Sequence, residues 1–425
     1  MTGAMADLPG VLDGIRIVEF SQNAASPHCG RLLAGLGADV VKVEPPVGDA
    51  MRHLAPIGGE GRAYLTTNPG KRAIVLDLGA SEAGAVVDRL FAWADVALVA
   101  MKPSDLGRYG LDWEHARTVN HRLVHLTHTA LGPKGPAAHH GGYDVLVQGR
   151  SGIGWTMNRT TDGTPQSTRP AINDYSTGML SAFAVLAGLR HRDQTGEGQR
   201  IDTALLATAM SLATPTVAWF EHDTEGFIAL QEEIDALRLA GLSFEEQRAH
   251  YESRVDAGGG VFRLYFRHSR TADGLVSVAG LSRALFEKLH EATGVARPAR
   301  MAGHDEEFLT VVDAMEAFFA ARSSEEILEL LEAHGYPCGP YNMPQEAVFD
   351  EQVRANDFVV DLDHPTVGTY ATSGMPIGME KARAEIRGPS PRLGEHTREV
   401  MAEIGIDEET TAALLDTGTI AALDE

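Results

Sequence analysis

Apolar and polar positions over the first 130 residues follow two alternating rhythms. Short, nearly unbroken apolar runs recur as "IRIVEF" (15–20), "ADVVKVE" (38–44), "RAIVLDL" (72–78), "ADVALVA" (94–100) and "RLVHLTH" (122–128). Runs of this length, rich in Val and Ile, read as strands buried on both faces. Segments with helical spacing separate them. One spans 27–37, with Pro27 at its start and Gly37 at its end, and others span 81–93 and 113–119. Strands alternating with helices predict an α/β fold around a doubly wound, mostly parallel sheet, whose ligands bind at the carboxyl ends of the strands.

Between residues 169 and 202 the rhythm changes. "RPAINDYSTGMLSAFAVLAGLRHRDQTGEGQRID" places one carboxylate, Asp174, at the mouth of an apolar run spanning 179–189. The spacing predicts a helix with Asp174 as its N-cap, cations at Arg190 and Arg192 near its end, and a turn at 195–198. A helix apolar on every face is a buried helix. A carboxylate at its N-terminus would then sit in the interior, ionised by the helix dipole, which is also how an unprotonated nucleophile would be held. On this stretch alone the cap is the favoured reading, with the nucleophile left open.

Beyond Ala209 the character changes again. Residues 220–256 are charged and helical, as a solvated linker or outer helix would be. Gly258, Gly259 and Gly260 follow, then a strand–turn–strand pattern around Asp273-Gly274, helices at 282–293 and 323–334, a β-like stretch at 364–379 and a helical tail.

Charge narrows the partners. Asp plus Glu number 59 and Lys plus Arg 36, a formal charge of −23. That opposes nonspecific nucleic-acid binding, which needs a basic footprint, but leaves room for an anionic small ligand held by a few local cations. The two cysteines, Cys29 and Cys338, form no disulfide framework, and a cytoplasmic setting is the expectation. His28 precedes Cys29, but adjacent helical residues do not face each other. "MTGAMADLPG" has no basic or apolar leader pattern, and no apolar run reaches membrane-spanning length. No metal-ligand spacing occurs, so no metal is expected. "SQNAASP" follows the first strand where a dinucleotide fold would carry GxGxxG, so no NAD site is expected, although Glu44 lies where a ribose acid would.

Eight phrases then occur in a familiar order: "LDGIRIVEFSQNAASP", "LGADVVKVEPPVGD", "NPGKRAIVLDL", "GGYDVLVQG", "NDYSTGMLSAFAVLAGLRHRDQTGEGQRID", "RTADGLVSVAG", "PCGPYNMPQEAVFD" and "RLGEHTREVM". With them the chain resembles the class III CoA-transferases, the group that includes formyl-CoA and carnitine CoA-transferases. The resemblance implies a large Rossmann-like α/β domain plus a smaller α+β domain, in a homodimer whose two chains interlock. It divides the chain into 1–210 (large CoA-binding domain), 211–257 (helical linker), 258–340 (small domain) and 341–425 (a segment returning to the large domain).

The resemblance puts the catalytic aspartate on Asp174. The implied reaction moves CoA from an acyl-CoA donor to a free carboxylic acid through an aspartyl anhydride and an aspartyl-CoA thioester. An ionised carboxylate needs no general base for this, unlike Ser or Cys. The implied CoA contacts are Ala24 and Ala25 after the first strand, and Leu76, Leu78 and Gly79 at a strand end. Met101 and Lys102, Arg108 as a phosphate donor, and Gly141, Gly142 and Tyr143 near the pantetheine thiol complete the set. Gly258, Gly259 and Gly260 read as a plain turn, or by the resemblance as the glycine loop that covers the active site in formyl-CoA transferases. The same fold hosts α-methylacyl-CoA racemases, which pair the aspartate with a His in a "GHD" motif. That motif is Gly142-Tyr143-Asp144 here, and a neutral Tyr is a poor base, although His139 and His140 lie just upstream. A non-catalytic acyl-CoA-binding protein is a further alternative, set against the intact Asp174 segment.

Overall fold

The computed structural model describes residues 8–157, 159–255, 259–300 and 306–423. The five apolar runs are strands of one sheet: β1 (Arg16–Phe20), β2 (Asp39–Glu44), β3 (Arg72–Leu76), β4 (Val96–Val99) and β5 (Val124–Thr129). Two strands absent from the sequence reading complete it, β6 (Gln199–Ala204) and β7 (Ile420–Ala421). The order is β6-β5-β4-β1-β2-β3-β7, parallel except for β7, which runs antiparallel to β3. β6 lacks an apolar run because it is a sheet edge that keeps Arg200 and Asp202 in solvent.

Five helices matter for the site: α1 (Ala25–Gly35), α2 (Ala83–Trp93), α3 (Asp144–Ser151), α4 (Ile172–Thr195) and α5 (Leu205–Leu212). Both sheet faces are covered. On one, Val18, Val41 and Ile74 pack with Leu90 of α2 and Met401 from the C-terminal segment. On the other, Ile17, Val40 and Val124 pack with Leu33 of α1 and Val185 of α4. α4 hands over to β6 through a turn at Gly196, so its first turn lies at the carboxyl edge of the sheet.

The chain forms two compact units, Met1–Trp219 with Glu351–Glu425, and Phe220–Asp350. The second holds an antiparallel sheet of Phe266–Arg270, Leu275–Ala279 and Cys338–Pro340 over a core that includes Leu264, Phe308, Phe319 and Leu331. Gly259 and Gly260 open a helix, Gly259–Tyr265, where a glycine loop was expected, and Gly258 lies outside the described residues. The β-like stretch at 364–379 is the turn and second strand of a hairpin, Val359–His364 with Gly368–Ser373, and 374–379 carries no strand. No helix among the described residues is long and apolar enough to cross a membrane.

A fully buried ion network lies beneath the carboxyl edge of the sheet. Glu19 on β1 and Lys42 on β2 are register partners, with Nζ 3.3 Å from Oε1. Lys71 approaches the other oxygen of Glu19 at 2.8 Å and donates to the Pro27 carbonyl of α1 at 2.7 Å. Lys42 also pairs with Asp49 at 2.9 Å, and Asp49 accepts the amide of Asn23 at 3.2 Å. Burial alone would raise the pKa of Glu19, but Lys71 and Lys42 more than reverse that and hold it lowered. The network therefore fixes both the start of α1 and the loop after β1, where Asn23 adopts φ 72°.

Breaking one arm of this network is expected to be costly, because an uncompensated charge remains in the interior. Lys71→Met should lower unfolding stability by about 3–5 kcal/mol in urea melts followed by circular dichroism.

Candidate active site

α4 begins two residues before Asp174, so Asp174 sits inside the first turn and is not the cap. The capping role belongs to Asp144, the first residue of α3. Its Oδ1 accepts the amides of Asn173 at 2.8 Å and Asp174 at 3.2 Å. Its Oδ2 accepts from Gln148 Nε2, and Gln148 Oε1 in turn accepts the amide of Thr168 at 3.0 Å. Asp144 is buried, and its amide contacts supply what a helix N-terminus needs. The Asp174 side chain is thereby released from local structural work.

The expectation of a helix buried on every face is corrected. Met179, Leu180 and Phe183 are exposed, whereas Gly178, Ser181, Ala182 and Val185 are buried along one stripe. The stripe packs closely on α1: a Cβ at Gly178 would lie 2.7 Å from the Ala25 carbonyl oxygen and 2.9 Å from His28 Cβ. Asp174 is accordingly half-buried, at the rim of a cleft and not in the core. Its ionisation also differs from the expectation. Burial, and then the like charge of Asp144, push the carboxyl up to about 7, against the pull of the helix dipole.

Two adjoining clefts open along the carboxyl edge of the sheet. The first, of about 460 Å³, is bordered by Asp174 together with Ala24, Ala25, Met101, Lys102, Gly141, Gly142 and Tyr143. The second, of about 420 Å³, is bordered by Leu76, Leu78, Gly79, Met101 and Lys102. Gln22, Asn23, Ala100, Met101 and Lys102 border both and make them one trough. Arg108 borders neither. It is exposed and lies over the ring of Tyr109, 5.1 Å from its centroid, and Tyr109 borders the second cleft. Gly259 and Gly260 belong to the other compact unit.

The structure adds residues that sequence reasoning left out. Gln22, Asn23, His128, Thr129, Leu146 and Leu205 border the first cleft, as does His140, weighed earlier only as a substitute base. Asp144 is the clearest omission of role. It stood in the quoted "GGYDVLVQG", but the amides it serves lie 29 and 30 residues further on.

Comparison with known proteins identifies the family. A model of the family described as CoA-transferase family III matches residues 12–397. The chain is 33% identical to succinate–glutarate CoA-transferase of Agrobacterium fabrum, across 96% of this chain and 99% of that one. It is 30% identical to the succinyl-CoA–L-malate CoA-transferase beta subunit of Chloroflexus aurantiacus, across 95% and 96%. A crystal structure of a CAIB/BAIF family protein from Brucella suis superposes with a TM-score of 0.72 at 28% identity, covering 93% of this chain and 100% of that one.

Two titrations follow from the paired carboxylates. The Asp174 carboxyl should titrate near 7, and lower in Asp144→Asn, which removes the repulsion yet keeps an oxygen for the two amides; difference infrared spectroscopy reads both. The folded value lies above the ordinary 3.8 of an unfolded chain. Folding is thus unpenalised where both states are protonated, and the penalty grows until pH passes the folded value. Asp174→Asn should therefore be more stable than wild type in urea melts at pH 8, with a smaller gain at pH 5.

Proposed function

The chain belongs to CoA-transferase family III, and from that premise we propose that Asp174 is the nucleophile of CoA transfer between an acyl-CoA and a free carboxylic acid. A carboxylate oxygen of Asp174 attacks the thioester carbonyl, the C–S bond breaks, and CoA leaves as the thiolate with a mixed anhydride left on the enzyme. The thiolate attacks the aspartyl carbonyl of that anhydride and releases the donor acid as its carboxylate. The acceptor carboxylate attacks the resulting aspartyl-CoA thioester, and the thiolate then takes the new acyl group, restoring Asp174. No proton is gained or lost across the cycle, so no general base is needed.

The observation that carries this reading is the position of Asp174 on the rim of a trough shared with the positions expected to hold CoA. Its raised pKa fits the role. Burial and Asp144 disfavour the ionised carboxylate, and acylation removes that charge and with it the repulsion. Both named relatives act on dicarboxylic acids, succinate with glutarate and succinyl-CoA with L-malate, and we assign short dicarboxylic acids to this chain as well. The exposed Met179, Leu180 and Phe183 on α4 support the proposed homodimer.

Incubation with succinyl-CoA and related acyl-CoAs, followed by hydroxylamine or borohydride trapping, tests the chemistry by peptide mass. A CoA-derived mark on the peptide bearing Asp174, absent in Asp174→Asn, is the expected result. His128 and His140 on the same cleft give the racemase alternative a base. No mark, with deuterium entering the acyl α-carbon in heavy water, would replace transfer by racemisation.

A further inference from the structure

One polar side chain on the apolar wall of the first cleft has no part in this chemistry. His128, near the end of β5, borders the cleft along with Asp174, Ala130, Leu146 and Leu205, and is only 8% exposed. Its Nδ1 lies 3.2 Å from Oγ1 of Thr203, its register partner on β6. Thr203 Oγ1 is in turn 3.0 Å from Ser181 Oγ. Ser181 stands two turns beyond Asp174 on α4, so the His128–Thr203–Ser181 chain lies along the helix face that carries Asp174. No described residue hydrogen-bonds the other ring nitrogen, Nε2, and that atom is not fully buried, so it is open to the cleft. Burial lowers the pKa to about 4, so the ring is neutral at physiological pH.

A charged acceptor that replaces water at Nε2 gains a charge-assisted hydrogen bond inside the cleft. An all-apolar wall would take the tail of any acid of suitable size. We propose that His128 is the specificity-determining residue of the acyl site, its Nε2–H donating to the distal carboxylate of a dicarboxylic substrate whose other carboxyl is exchanged at Asp174. The inference rests on the transferase reading above. An acceptor at Nε2 requires the order in which the Ser181 hydroxyl donates to Thr203 Oγ1 and the Thr203 hydroxyl donates to Nδ1. That leaves the ring proton on Nε2, the tautomer an anionic acceptor selects. A site built around one buried donor rejects the analogue that lacks the acceptor.

The test compares kcat/KM for transfer from succinyl-CoA to glutarate and to pentanoate, acids of equal length that differ by the distal carboxylate. Wild type should favour glutarate. In His128→Leu the glutarate-to-pentanoate ratio should fall roughly tenfold or more, the size of one lost hydrogen bond to a charged group. His128→Gln keeps an N–H donor and should retain most of the ratio. A purely structural role would slow both acids alike, so an unchanged ratio in His128→Leu overturns the proposal. So does a wild-type enzyme that transfers CoA without preferring glutarate, and that outcome leaves the transferase reading standing. Wild type that moves CoA to neither acid, with no trapped adduct, defeats both.

Discussion

Two carboxylates meet at the N-terminus of α4, and the free amides of that turn go to only one of them. Asp144 takes the Asn173 and Asp174 amides and is itself held by Gln148. Asp174 is left with burial and a like charge, both of which raise the energy of its ionised form. Hydrogen bonds stabilise a carboxylate and make it inert, whereas their absence beside a second anion makes acylation a relief. The proposed chemistry depends on this unequal division of one helix end.

The division holds only if α4 is pinned at the right height over the sheet. Gly178 allows α1 and α4 to touch backbone to side chain, and Lys71 ties α1 to Glu19 beneath it. Lys42 and Asp49 extend the same buried ions to the loop after β1, which borders both clefts. Buried ion pairs are a poor source of net stability, but removing one partner is severe, so such a network favours a single geometry. Here that geometry is the floor of the trough.

The trough is sparing with positive charge. Lys102 is the one Lys or Arg among the described residues bordering the two clefts, in a chain of formal charge −23. An anionic ligand there relies on backbone amides and neutral donors more than on cations. His128 fits that economy, as a neutral donor on an apolar wall.

The parallel strands and their helices were legible in the sequence, because each leaves a local mark. Strands β1 to β5 are buried on both faces and so read as apolar runs. Local spacing marked Asp174 only as a carboxylate at a helix start; its catalytic role and the CoA positions, ten of which border the trough, came from the family resemblance. Edge strand β6 and the two-residue β7 left no such mark, since neither needs a continuous apolar run. The sequence by itself determined the five doubly buried strands with the helices between them, and a carboxylate near the start of α4. Tertiary structure alone decided that Asp144 caps that helix, that Arg108 stands outside the trough and that His128 stands on its wall. Each of those depends on a contact between residues distant in the chain or on the direction of a side chain, and neither is written in local spacing.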